Sequence, residues 1–252
     1  MSEAEQTLEA FVKQLCAQAP PAAAQVAQAA WAAQILARFL RYREELLRWN
    51  ERVNLTAIVD PEEVLTRHFL DSLAILTAVD PPACRLLDIG SGAGFPGLPL
   101  KIVRPTWEVT LLEATARKVA FLRHVCQVLE LEAVTILHGR AEQLGHAPAY
   151  RGTFDLVTAR AVAALPIVLE YAAPYCRVGG SVVLPRKGDS PEELAQGLRA
   201  AEQLGLTLEA RLPVTLPGLD DGRYLLLWRQ HRACPGHFPR KNAAILKHPA
   251  GE

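Results

Sequence analysis

The sequence predicts an open α/β sheet preceded by a helical block, and three observations carry that prediction. From Leu86 onward, short apolar runs alternate with segments of helical period, the order expected of strands joined by crossover helices. The first of these runs, RLLDI at Arg85–Ile89, opens directly onto three glycines at alternate positions, Gly90, Gly92 and Gly94. The first 80 residues lack the alternation and show helical periodicity alone. The expected organisation is an N-terminal helical extension over 1–80, a Rossmann-like sheet domain over 81–231 and a basic tail over 232–252.

In the helical block, alanine and glutamine dominate 22–37, and apolar side chains recur at spacings of three and four through Trp31, Ile35, Phe39, Tyr42, Leu46, Leu47 and Trp49. Asn54-Leu55-Thr56 breaks that pattern. Asp60 then offers an N-cap, Pro61 a first helical residue and Glu62-Glu63 first-turn acids for the helix VLTRHFLDSLAILTAV, which Pro81-Pro82 ends. Arg67, His68 and Asp71 are polar among apolar neighbours there and are read as a satisfied surface network on a helix far from the glycines.

After the glycines, Pro96 suits a first helical position, and Leu98, Leu100, Ile102 and Val103 continue the helix. Residues 107–113, WEVTLLE, form a second strand ending in an acid, and 116–131 form a helix covering the sheet. The third strand, VTILHG, leads into Gly139-Arg140-Ala141-Glu142, where an adenine ring would lie. Residues 154–159 are the fourth strand, with Arg160 at its mouth. A helix over 165–175 follows, then a turn at Gly179-Gly180, the strand SVVLPRKG, a helix capped by Asp189, Ser190 and Pro191, and late strands over 206–215 and 223–229. Ligands of such sheets sit outside the carboxyl ends of the strands, where all these candidate segments fall.

The turn suggests a nucleotide-like ligand, because glycine permits positive φ and close approach of a ligand to the main chain. A dinucleotide fingerprint, G-x-G-x-x-G, would need glycine where Phe95 stands; the chain has G-x-G-x-G. Glu113 closes the second strand at the distance where such folds place the carboxylate that binds a ribose diol. With Asp88 it puts two acids beside the glycines, which favours a ligand with a positive centre and no pyrophosphate. S-adenosyl-L-methionine fits that description.

Composition narrows the class. In 252 residues, half of them hydrophobic, no apolar run reaches the roughly 18 residues of a membrane span, and the acidic start MSEAEQTLEAF is not a secretory signal. A cytoplasmic monomer is expected. Cys16, Cys84, Cys126, Cys176 and Cys234 are odd in number and form no C-x-x-C pair, against a disulfide framework or a metal site. The zero net charge hides a gradient: residues 1–80 hold seven Lys and Arg against eleven Asp and Glu, whereas 221–252 hold six against two. That tail is either solvated or a phosphate-contacting patch.

WNERVNLTAI, DPEEVLTRHFLDSL, LLDIGSGAGFPGLPLKI, LLEATARKVAFL, HGRAE, FDLVTARAVA and Lys187-Gly188 together resemble the bacterial glucose-inhibited division protein B family of 16S rRNA guanine-N7 methyltransferases. The resemblance runs from residue 42 to about 190 and implies a class I methyltransferase sheet. It implies S-adenosyl-L-methionine as donor and a guanine of 16S rRNA in the small ribosomal subunit as acceptor. Carried over by motif, the donor pocket holds Gly90, Phe95, Glu113, Ala114, Thr115, Ala141, Glu142 and Arg160. In the tail Phe238, Pro239, Arg240, Lys241 and Lys247 match the family, while Ala243, Ile245 and Ala250 depart from it.

Guanine N7 carries a lone pair in the neutral base, so the enzyme needs alignment and electrostatics rather than a general base. Consistently, no cysteine sits in a Pro-Cys motif for carbon methylation, and Arg160-Ala161-Val162 stands where an acid-proline-proline-aromatic motif would serve exocyclic nitrogen. Arg160 and Lys187 are the catalytic candidates: Arg160 for the methionine carboxylate or the guanine, Lys187 with Arg186 for guanine or RNA. Arg240 and Lys241 are the tail's RNA candidates. The basic cluster of the tail is expected close to the pocket, because it follows the final strand. Rival readings are methylation of another RNA nucleotide, a nicotinamide-dependent oxidoreductase and a ligand-free binding scaffold.

Overall fold

The computed structural model describes residues 1–17, 25–188, 190–217, 219 and 221–251. Helices α1 (Glu3–Ala17) and α2 (Gln25–Val53) come first. α2 buries Ile35, Phe39, Tyr42 and Leu46, the three-and-four stripe read from the sequence. The next helical stretch begins as α3 (Pro61–Val64), passes through a π-helical turn (Leu65–Leu70), regains α geometry in α4 (Asp71–Leu73) and closes in a 3₁₀ turn (Ala74–Thr77). Asp60 caps it as expected, its side chain accepting from the Glu62 and Glu63 N–H groups, with Pro61 in the first turn.

The sheet units are β1 (Arg85–Ile89), α5 (Gly97–Val103), β2 (Glu108–Glu113), α6 (Ala116–Val128), β3 (Val134–His138), α7 (Ala141–Leu144), β4 (Phe154–Ala159) and α8 (Leu165–Ala172). They continue through β5 (Cys176–Lys187), α9 (Pro191–Leu204), β6 (Leu206–Pro213), β7 (Arg223–Gln230) and α10 (Asn242–Lys247). α5 starts one residue later than read, with Pro96 as its cap. β5 starts earlier, taking Gly179 and Gly180 into the strand. Ser190 caps α9 by accepting from the Glu193 N–H; Asp189 lies outside the described residues.

The strands order as β3-β2-β1-β4-β5-β7-β6. β1 to β5 pair in parallel, and β7 is antiparallel to both β5 and β6. The order reverses between β1 and β4, so a crevice opens there at the carboxyl ends. Side chains of the central strands alternate between two buried layers. Leu86, Val183, Leu225 and Leu227 face the layer of α2, α5 and α6. Leu87, Val182, Leu184, Leu226 and Trp228 face that of α8, α9 and the tail. The helical block joins the first layer through aromatic contacts, with Tyr42 stacked on Phe95 and Trp49 edge-on to Phe121.

Candidate functional site

The glycine turn leaves β1 with Gly90 and Ser91 N–H groups both bonded to the Leu112 carbonyl, at 2.8 and 3.2 Å. Gly90, Gly92 and Gly94 all have positive φ, but their surroundings differ. A Cβ on Gly90 would lie 2.7 Å from Val162 Cγ2, and one on Gly94 would run into the Tyr42 hydroxyl and Leu98. At Gly92 it would meet nothing nearer than the Gly90 carbonyl at 3.8 Å. Two of the glycines are therefore demanded by packing, and Gly92 is the one that faces open space.

Glu113, at the end of β2, straps the second unit to this turn. Its Oε2 accepts the Gly92 N–H at 2.9 Å and its Oε1 the Thr115 N–H at 2.7 Å, in a side chain that is 6% exposed. Asp88 lies beneath, fully buried. Its Oδ2 accepts the Gly97 N–H at 2.9 Å, anchoring the start of α5, while Oδ1 has no partner among the described residues. Burial pushes the Asp88 carboxyl up to about 7; the Gly97 N–H and Arg160 pull it down, and Glu113 pushes it further up. An unpartnered buried carboxylate oxygen, an open glycine and the Glu113 carboxylate at the end of β2 fit a sulfonium nucleoside such as S-adenosylmethionine.

The neighbouring segments close the same side. The Gly139 N–H bonds the Glu113 carbonyl at 3.1 Å, which sets the β3 mouth against the β2 mouth. Ala141 is buried, its carbonyl accepting from the Tyr175 hydroxyl at 2.7 Å, and Glu142 follows in the first turn of α7. Ala114 and Thr115 are exposed beside them.

Phe95 is a buried pillar of the site. Its ring stacks on His68 (4.5 Å between centroids, 17°) and on Tyr42 (5.4 Å, 16°), and the Arg160 guanidinium lies 5.1 Å from its centroid. Arg160 donates from Nη1 to the Arg67 carbonyl (3.1 Å) and Asp71 Oδ2 (2.9 Å), and from Nη2 to His68 Nδ1 (3.0 Å). Because arginine only donates, His68 Nδ1 is the acceptor, so Nε2 carries the proton toward Thr56 Oγ1 at 2.8 Å. Burial pulls the imidazole down to about 3, and Arg160 reinforces this, so the ring is neutral. The expectation of a remote surface network is thereby corrected for two of its three residues: His68 is buried against Phe95 and Asp71 half-buried against Arg160, while Arg67 is exposed and pairs with Glu63. The π turn explains the contact, since the Asp71 N–H bonds the Thr66 and His68 carbonyls and passes over Arg67 O, which accepts from Arg160.

Lys187, at the end of β5, is mostly exposed and pairs with Asp221 at 2.9 Å. Arg186 is held by Glu193 and by the Ala163 carbonyl, with Glu193 also accepting the Leu165 N–H at 2.7 Å. β7 runs antiparallel, so its start at Arg223 is on the pocket side and the tail departs from the opposite end, then packs on the segment after α7, where His146 Nε2 lies 2.8 Å from the Pro239 carbonyl. Arg229 bonds Glu209 and the Gly179 carbonyl, and Arg232 bonds carbonyls at the end of α9. Arg240 donates from its backbone N–H and Nε to Glu170 Oε1, both at 2.9 Å, and from Nη2 to Oε2 at 2.5 Å; Glu170 is fully buried. Lys241 is exposed at the cap of α10.

Sequence reasoning missed Tyr42, whose hydroxyl donates to the Ala93 carbonyl, and Asp221 and Arg223, which join the site from the start of β7. None of them carries a local motif; the only available signal was at His68 and Asp71, polar positions on an apolar helix.

A family model described as rRNA small subunit methyltransferase G matches residues 35–214. Ribosomal RNA small subunit methyltransferase G of Roseiflexus sp. (strain RS-1) is 50% identical over 183 residues, 73% of this chain and 78% of that protein. The protein of the same name from Chloroflexus aggregans is 47% identical, covering 81% of this chain and 85% of its own length. Among solved structures, cofactor-bound Rv0187 from MTB superposes with a TM-score of 0.55 at 19% identity, over 76% of this chain and 90% of that one. M. jannaschii TYW2 in complex with AdoMet gives 0.50 at 13%, over 64% and 76%. At those identities the two structures speak for the fold.

Proposed function

The chain belongs to the rRNA small subunit methyltransferase G family, and on that premise we propose that it transfers a methyl group from S-adenosyl-L-methionine to N7 of a guanine in 16S rRNA. The observation that supports this reading best is the Glu113 carboxylate laid across the N–H groups of Gly92 and Thr115, at the switch point of the sheet. Glu113 is the acceptor for the two ribose hydroxyls, and Gly92 admits the nucleoside against the main chain. Gly90, Gly94, Phe95 and Asp88 hold the turn in shape beneath it. Ala114, Thr115, Ala141 and Glu142 border the adenine side. Arg160 is the partner of the methionine carboxylate.

The donor brings a methyl group on a cationic sulfur. The chain contributes orientation and charge. Guanine N7 has its lone pair in the plane of the neutral base, so no residue need remove a proton, and the His68 Nδ1 lone pair is already engaged by Arg160. Lys187, with Arg186 fixed behind it, stands on the acceptor side, and Lys241 and Lys247 are exposed tail cations available to a phosphate. Arg240 serves Glu170 in place of RNA.

The test is methylation of small subunits purified from cells lacking this protein, using labelled donor, with mass mapping of the 16S rRNA. Near-stoichiometric 7-methylguanine at a single position is expected. Label at another atom or nucleotide would replace this reading with methylation of a different RNA target, and no donor binding at all would remove it.

A further inference from the structure

Arg160, Arg223 and Lys187 stand at the ends of three different strands, β4, β7 and β5, and two carboxylates join them into one chain. Asp71 Oδ2 accepts from Arg160 at 2.9 Å while Asp71 Oδ1 accepts from Arg223. Arg223 in turn grips both oxygens of Asp221, at 2.7 and 2.8 Å, and Asp221 holds Lys187 at 2.9 Å. Lys187 and Arg223 are directly opposed across β5 and β7, a like-charge pair that would repel without the acid between them. Arg223 and Asp71 are 11% and 14% exposed, so this linkage is shielded from solvent.

The hydrogen count on Arg160 gives the arrangement a purpose. A guanidinium has five N–H hydrogens in a rigid plane. Both on Nη1 and one on Nη2 are taken by Arg67, Asp71 and His68. What is left is Nε–H and one Nη2–H, with no partner among the described residues. Those two groups can lie on one side of the fork, spaced for a carboxylate to bind through both oxygens.

We propose that Asp71 is a positioning residue: braced by Arg223, it turns Arg160 so that the free pair of N–H groups faces the donor carboxylate. Through Asp221 the same brace holds Lys187 at a set distance on the acceptor side. Asp71 touches neither substrate; it acts through Arg160. The inference rests on the donor reading of the site given above.

The experiment is a double-mutant cycle on donor affinity, measured by calorimetry with S-adenosylmethionine on the full chain. Wild type is measured first, because absent binding there refutes the donor reading itself and not this refinement. Asp71→Asn should weaken binding roughly tenfold, within the range of coupling between contacting charged residues. In an Arg160→Ala background the same substitution should change affinity less than about twofold, since the residue it positions is gone. A merely structural Asp71 would cost the same factor in both backgrounds, and that result, or an unaltered affinity in Asp71→Asn, overturns the proposal. Arg223→Lys provides a second reading should Asp71→Asn fail to fold. A point-like ammonium cannot brace Asp71 and Asp221 together as the fork does, so a smaller loss of affinity is expected, again confined to the Arg160 background. An equal loss in both backgrounds counts against the proposal.

Discussion

Glu113 and Asp88 are both acids at strand ends beside the glycine turn, yet burial and hydrogen bonding give them different work. Glu113 has both oxygens on backbone N–H groups at the turn, so removing it takes away a charge-assisted acceptor. Glu113→Ala should weaken donor binding by about 1.5 to 3 kcal/mol. Calorimetry on a variant shown to be folded tests this, and an unaltered dissociation constant would exclude Glu113 as the ribose acceptor. Asp88 is the proton-linked residue. Its carboxyl is raised from 3.8 to about 7 by burial, so the native state holds that proton more tightly than the unfolded chain does. The stability associated with it is present below pH 4 and falls as pH rises toward 7, by about 1.4 kcal/mol per pH unit in that window. Asp88→Asn should remove this slope. Denaturant midpoints of both proteins between pH 4 and 8 provide the check, and parallel curves would show that Asp88 does not titrate there.

At the scale of elements, the tail and the π-helical turn are both put to uses that their sequences do not announce. α10 and its flanks bury Phe238, Ile245 and Ala250 against the layer of α8 and α9, and Arg151 donates to the Cys234, Pro235 and Phe238 carbonyls. The tail is therefore a packed element. Arg240→Ala would leave the fully buried Glu170 without its cation. Because Arg240 is itself part-exposed, a loss of about 2 to 3 kcal/mol is expected, below the range for wholly buried pairs. Lys241→Ala should leave stability unchanged within about 0.5 kcal/mol, as an exposed side chain with no partner among the described residues. Chemical denaturation separates the two, and equal stability of both variants would refute the role given to Arg240. The π turn works in the opposite sense, leaving the Arg67 carbonyl to an arginine from the sheet.

For the whole molecule, the helical block is the other half of a core. Phe95 stacks on Tyr42 and His68, Phe121 meets Trp49, and Phe39 and Phe69 pack within the same buried layer. A chain beginning at residue 81 keeps every strand but exposes Phe95, Phe121 and the inner faces of α5 and α6. We expect such a truncation to lose cooperative unfolding, since it uncovers several aromatic side chains, each of which contributes about 1.5 to 3 kcal/mol when buried. A sharp thermal transition in the 81–252 protein, followed by circular dichroism, would show instead that the sheet is autonomous.

The sequence of residues 85–113 by itself determined the first two strands, the glycine turn between them and the acid that ends the second. Strand period, glycine spacing and terminal acids are local properties, and the fold keeps β1, the turn and Glu113 where that pattern puts them. Asp60 and Pro61 were legible for the same reason, because a helix cap is made within four residues. Tertiary structure decided which glycine faces open space, since Gly90 is crowded by Val162 and Gly94 by Tyr42 as well as by its neighbour Leu98, the first two far away in the chain. It decided that Arg240 belongs to Glu170 and that β7 carries Arg223 toward the pocket, facts that depend on strand direction. It also brought His68 and Asp71 to Phe95 and Arg160, through a π turn that periodicity at three and four cannot register. Backbone geometry is written in neighbouring residues, whereas the partners of buried charges are selected by packing across the whole sheet.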